Sequence, residues 1–184
     1  MKGQYTKMKR LFTLMLAMLT IFSLAACGAG EEEASAKDYT AEEIFDAIKN
    51  AYGDDFIPDA DMIEEEYTET YGLNMDDVAE IKAQMAMISF HPDRIVVVKA
   101  KEGKGEAVEA ALTAARDNLI QNGMWYPANL AKVNASQVLR NGDHVVFMML
   151  GAVDENVEAT EEDAAKFAKE QMQTGVDAFN KLFK

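Results

Sequence analysis

Residues 138–151 read VLRNGDHVVFMMLG. Two apolar runs flank Asn141-Gly142-Asp143, and Asn-Gly in such a setting is the strongest short-range hairpin signal. The reading puts Asn141 and Gly142 at the two central positions of a tight turn, both with positive φ. The second run, Val145–Leu150, is continuous rather than alternating, which describes a strand covered on both faces. On this reading Gly142→Val costs on the order of 1–2 kcal/mol. Gly103→Val, in an EGKG segment read as a flexible loop, is expected to cost less.

A second continuous run lies upstream. RIVVVKAK, Arg94–Lys101, gathers four β-branched residues at Ile95–Val98, again the mark of an inner strand. MAMISF, Met85–Phe90, reads either as its hairpin partner across His91-Pro92-Asp93 or as the tail of a preceding helix. That helix is expected to start at Asn74 or Asp76 and to carry Met75, Val78, Ile81 and Met85.

Helical signals surround the two strands. Thr40-Ala41-Glu42-Glu43 forms a capping box, followed by Ala41, Ile44, Phe45, Ile48 and Tyr52 on one face and a stop at Gly53. Residues 54–72 are acidic and poorly periodic. Glu106–Gln121 places Val108, Ala111, Leu112, Ala115 and Leu119 at helical spacing. A loop with Trp125, Tyr126 and Pro127 follows, then a strand within VNASQVLR. Thr160 opens a last helix carrying Phe167, Met172, Val176 and Phe179, in which Gly175 predicts a weak point of about 1 kcal/mol relative to Ala. The order predicts an α+β fold, an antiparallel sheet of two hairpins packed against helices.

The start of the chain has a different character. MKGQYTKMKR carries four basic residues and no acidic one, and an apolar run from Leu11 to Leu24 follows. That core is short for a membrane span, which takes about 20 residues, and suits an export signal. It ends in Leu24-Ala25-Ala26-Cys27, and Cys27 is the only cysteine in the chain. The pattern resembles the lipobox of bacterial lipoproteins. The resemblance implies cleavage between Ala26 and Cys27, diacylglycerol on Cys27, and retention on the extracytoplasmic side of the cell membrane. Residues 1–26 are thus read as a lipoprotein signal peptide and 27–37 as a disordered acidic tether, with 38–184 forming one domain. Loss of the basic leader takes the formal charge from −14 to −18, which disfavours nucleic acid and anionic lipid as binding surfaces. With no cysteine beyond Cys27, the mature chain has no disulfide to stabilise it.

The segments AEEIFDAIKNAY, YGLNMDDVAEI, DRIVVVKAKEGKGEAVEAALTAARDN, WYPANLAKV and VLRNGDHVVFMMLG, in that order behind a lipobox, resemble the domain-of-unknown-function family numbered 4358, found mainly in Gram-positive bacteria. The resemblance spans roughly residues 40–152. It implies location and fold, and it supplies no catalytic residue.

Little chemistry is legible. Histidines number two, His91 and His144, both read as exposed turn residues. Ser89 and Ser136 lack a nucleophile-elbow context. Zinc needs three or four imidazole or thiolate ligands, which this chain cannot assemble. The acidic stretches Asp54–Glu66 and Asp154–Asp163 offer oxygens for calcium but lack the EF-hand spacing, so they read as solvated loops. No catalytic residue, metal or cofactor is therefore assigned. Arg116, beside the buried stripe of its helix, and Trp125 and Tyr126 downstream are the candidate contacts to a ligand or partner. The expectation is a lipid-anchored binding or accessory module that meets the membrane through Cys27 and an envelope protein or small ligand through its domain. The competing expectation is an enzyme acting on envelope material, which requires a deep pocket of converging polar groups where a module requires an exposed apolar patch.

Overall fold

Strand β3, Arg94–Ala100, and strand β5, His144–Met149, pair antiparallel at the centre of a five-stranded sheet. The computed structural model containing them describes residues 37–88, 90–154 and 160–184. The leader, Ala26, Cys27, the tether up to Ala36, Ser89, and Glu155 and Glu158 of the second acidic stretch lie outside the described residues. Around the central pair stand β1, Ala60–Asp61, β2, Val78–Met85, and β4, Gln137–Asn141, giving the order β1-β2-β3-β5-β4. All neighbouring strands are antiparallel. The fold is α+β.

Both continuous apolar runs are buried. Ile95–Val98 and Val145–Leu150 are at most 1% exposed. Alternate residues of each strand face opposite layers, as the pleat dictates. Val96, Val98, Val145, Phe147 and Met149 meet Val108, Leu112 and Ala115 of α2, Gly105–Asn122. Ile95, Val97, Val146 and Met148 meet Ile44, Phe45 and Ile48 of α1, Ala41–Tyr52, and Met172 and Phe179 of α4, Glu161–Leu182. Helices therefore cover both faces, which is why neither run needs a polar side.

Helix ends follow their local signals. Thr40 and Glu43 form the reciprocal capping box of α1, and Gly53 closes it at φ 56°. Thr160 and Asp163 do the same for α4. Gly175 does not break α4: a Cβ there would meet the Met148 sulfur at 2.7 Å and the Tyr52 hydroxyl at 3.0 Å. Close helix–sheet approach, not helix propensity, sets that residue.

Several expectations are corrected. Residues 78–85 form strand β2 rather than a helix, and they supply the antiparallel partner of β3. Asn74 does cap, but only the single turn Met75–Asp77. The spacing of Val78, Ile81 and Met85 fits a helix, yet the open edge of β3 offers more hydrogen bonds than an isolated short helix. Met85 is the last residue of β2, and Ala86, Met87, Ile88 and Phe90 belong to a loop. Residues 130–135 form a short helix, α3, before β4.

The hairpin turn shifts by one residue. Asn141 pairs with His144 as the last residue of β4, so the two-residue loop is Gly142-Asp143. Gly142 has φ 58° and Asp143 does not enter the positive region, the pattern of a type II′ turn, which suits strand twist as well as type I′ does. Asp143 is then free to accept from the backbone amides of Gly103 and Gly105 at 3.0 and 2.9 Å. This holds EGKG in place with Gly103 at φ 73°, so the flexible reading of that loop is also corrected. Gly142→Val and Gly103→Val should each cost on the order of 1–2 kcal/mol. Equal shifts in urea midpoint would bear out this account, and a silent Gly103→Val would contradict it.

Candidate functional site

Two loops meet at the end of the sheet where β3 begins. The first joins β2 to β3. It is closed at its base by the Ala86 amide donating to the Asp93 carbonyl at 2.9 Å, and the Met87 amide donates to the Asp59 carboxylate at 3.0 Å. With the backbone held there, Met87, Ile88 and Phe90 point into solvent, Met87 being 71% exposed. Phe90 sits at φ 54°, alone among the described non-glycine residues in the left-handed region. Bulky residues rarely adopt that conformation.

The second loop runs from α2 to α3. Trp125 turns inward, donating from its indole to the Leu119 carbonyl at 2.7 Å, and the Arg94 guanidinium lies 5.1 Å from its ring centroid. Met124, Tyr126 and Leu130 face outward, Met124 being 77% exposed. The rings of Phe90 and Tyr126 stand 6.1 Å apart and nearly perpendicular, a preferred aromatic geometry. Six large exposed apolar side chains thus lie on two loops that the Phe90–Tyr126 contact brings together.

Beneath this patch lies a buried ion pair. Lys132 on α3 and Asp93 at the mouth of β3 meet at 2.5 Å, with side chains 4% and 0% exposed. Burial pushes the Asp93 carboxyl above its ordinary range, against the pull of Lys132. His91 Nδ1 accepts from the Asp93 amide at 3.3 Å and lies 3.6 Å from its carboxylate. Burial holds the His91 imidazole below its ordinary value. Tyr71, 2% exposed against Phe147, is pushed up to about 12 by burial.

The three candidate residues divide. The structure brings Trp125 and Tyr126 together with Phe90 and Arg94. Arg116 instead donates to the Ser136 carbonyl at 2.8 Å and pairs with Asp117 at 2.9 Å, tying α2 to the start of β4. His144 is not an exposed turn residue: it is 6% exposed, its Nε2 lies 2.7 Å from the Tyr39 carbonyl, and its ring is 5.4 Å from that of Phe183. Sequence reasoning missed Met87, Ile88, Phe90, Met124, Leu130, Asp93 and Lys132. The available signal was the density of large apolar residues in segments bounded by Pro92 and Gly123, which assigning Met85–Phe90 to strand or helix concealed.

Chemically, the arrangement offers apolar contact. Asp93 and Lys132 neutralise each other out of reach of solvent. A depression of about 310 Å³ between α3, β4 and α4 is lined by residues such as Gln137, Leu139, Met172 and Val176 and includes neither histidine. Among the described residues no group of three His, Cys, Asp or Glu side chains could hold a metal ion. No described helix is long and apolar enough to cross a membrane.

Residues 52–150 match the family described as Domain of unknown function (DUF4358). The chain belongs to the DUF4358 family. The DUF4358 match holds the whole sheet, both patch loops and the Asp93–Lys132 pair, and it leaves out α4 and all but the last residue of α1. Over 128 residues the chain is 29% identical to Foldase protein PrsA 2 of Listeria innocua, covering 56% of this chain and 43% of that protein. Foldase protein PrsA 2 of Listeria monocytogenes is 39% identical over 51 residues, 27% of this chain and 17% of its own. The chain spans less than half the length of these curated relatives. No solved structure matches.

Proposed function

We propose that this DUF4358 protein is a lipid-anchored, extracytoplasmic, non-catalytic module that holds apolar segments of other polypeptides against its loop patch. The exposed group Met87, Ile88, Phe90, Met124, Tyr126 and Leu130 carries the reading. Isolated exposed apolar residues are ordinary, but a contiguous group marks an interaction surface. Two of the six are methionines, flexible and polarizable side chains suited to partners of varied shape. The similarity to proteins named foldases favours polypeptide over small-molecule partners.

The anchor rests on the lipobox ending at Cys27. The N-terminal segment of the domain meets the end of β3 away from Arg94: Asp38 pairs with Lys99 at 2.7 Å and Tyr39 meets His144. Five residue steps along β3 separate Lys99 from Arg94, roughly 17 Å at the usual rise per strand residue. The acidic charge adds a preference for neutral or basic partners.

Two experiments on intact cells test the reading. Cys27→Ala should abolish labelling by a clickable fatty acid and leave an uncleaved precursor; a mutant that still labels removes the anchor. A photo-crosslinking residue at Tyr126 should capture exported polypeptides, and one at Glu162 on α4 should not. Equal capture at both positions would remove the patch.

A further inference from the structure

The Asp93–Lys132 contact is poorly satisfied as an ion pair. Lys132 Nζ, which carries three donors when charged, makes one hydrogen bond among the described residues, to Asp93 Oδ1. The second carboxylate oxygen, Oδ2, is buried with no partner there. Two charges in a dry interior with unmet donors and an unmet acceptor are costly. The neutral pair, amine beside carboxylic acid, is reached by moving one proton across the existing hydrogen bond.

We propose that Lys132 and Asp93 condense into an intramolecular isopeptide bond. The proton first passes from Nζ to Oδ1. The Nζ lone pair then adds to the Asp93 carboxyl carbon, forming the C–N bond while the carbonyl electrons move to Oδ2. His91 Nδ1, 3.6 Å from Oδ1, lets go of the Asp93 amide proton and relays the second nitrogen proton to the departing hydroxyl. Collapse restores the carbonyl at Oδ2, breaks the bond to Oδ1 and releases one water. Ammonium plus carboxylate thus become amide plus water, with no oxidant, reductant or activated co-reactant. In dilute solution this equilibrium opposes the amide. Two reactants held in contact react as if at effective molarities that reach about 10⁵–10⁸ M in well-oriented cases, which lowers the barrier. The product also removes both buried charges, replacing them with one amide N–H and one carbonyl. A cavity of about 30 Å³ beside Lys132, lined by Ala128, Ala131, Ala164 and Phe167, has room for the leaving water.

Such a bond would join the start of β3 to α3, stapling together the two loops that carry the patch. Tryptic mapping of the folded full-length protein reads it directly. Trypsin cannot cleave after an acylated lysine. The bonded chain gives one branched product, Ala83–Arg94 joined to Asp117–Arg140, lighter by one water than the sum of its two parts. Lys132→Arg should give Ala83–Arg94 unlinked, and tryptic cleavage restored after position 132 in that variant confirms the assignment. Separate Ala83–Arg94, Asp117–Lys132 and Val133–Arg140 peptides from the folded wild-type protein would overturn the proposal.

Discussion

Lys132→Met is expected to lower the free energy of unfolding by about 3–5 kcal/mol at neutral pH, the range for removing one partner of a buried ion pair. Methionine replaces most of the lysine stem, so packing is nearly conserved. What remains is the Asp93 carboxyl, 0% exposed and deprived of its cation. Burial already raises the Asp93 pKa with Lys132 present, and losing the cation raises it further. An unfolded aspartate titrates at about 3.9. A folded value above that gives stability that is full below about pH 4 and is lost as pH rises through the folded value. The deficit of Lys132→Met should therefore be smallest near pH 4 and grow toward pH 7. Urea unfolding at both pH values checks this, and a deficit independent of pH would contradict it. Asp93→Leu combined with Lys132→Met should recover most of the loss, because an apolar pair leaves no orphaned charge. These values are for an ionic wild-type pair; where the pair is amide-linked, both variants also lose the cross-link, and the double variant recovers only the part owed to the orphaned charge.

Phe147→Ala is the second large effect, about 3–5 kcal/mol. Phe147 is 0% exposed, lies between Val96 and Val138 on the neighbouring strands, and packs within 5.9 Å of the Tyr71 ring. Helix α2 covers it from above, so the cavity has rigid walls on the sheet side and cannot readily collapse. A midpoint shift with unchanged denaturant slope would show lost packing rather than a looser native state. Tyr126→Ala, an aromatic truncation in the exposed patch, should stay within about 0.5 kcal/mol of wild type. If the two substitutions cost the same, the assignment of core and patch fails.

Continuous apolar runs proved easy to read. Val145–Leu150 and Ile95–Val98 have no polar face, and only an inner strand covered on both sides accommodates that. The capping box at Thr40 and the stop at Gly53 were equally plain, because each acts through its own backbone. Strand β2 was hidden for the converse reason. VAEIKAQM carries good helix formers, and its pairing with β3 is a long-range gain that local propensity does not register. The one-residue shift of the hairpin turn came from Asp143, whose carboxylate binds amides 40 and 38 residues away in sequence. The patch was half visible through Trp125 and Tyr126. Its other half, and the Asp93–Lys132 pair, depend on two loops 39 residues apart being brought together by the sheet.

The central claim is that the loop patch binds apolar polypeptide segments. Its most direct test is equilibrium binding of the protein to a fluorescent, permanently unfolded probe, reduced and carboxymethylated lactalbumin, followed by anisotropy. Wild type should bind the unfolded probe and not its native form. Phe90→Asp with Tyr126→Asp should weaken binding by at least about tenfold, the effect of losing a contact worth about 1.4 kcal/mol, while the melting temperature stays unchanged. A wild-type protein that ignores the unfolded probe, or a double variant that binds it as tightly, would contradict the account.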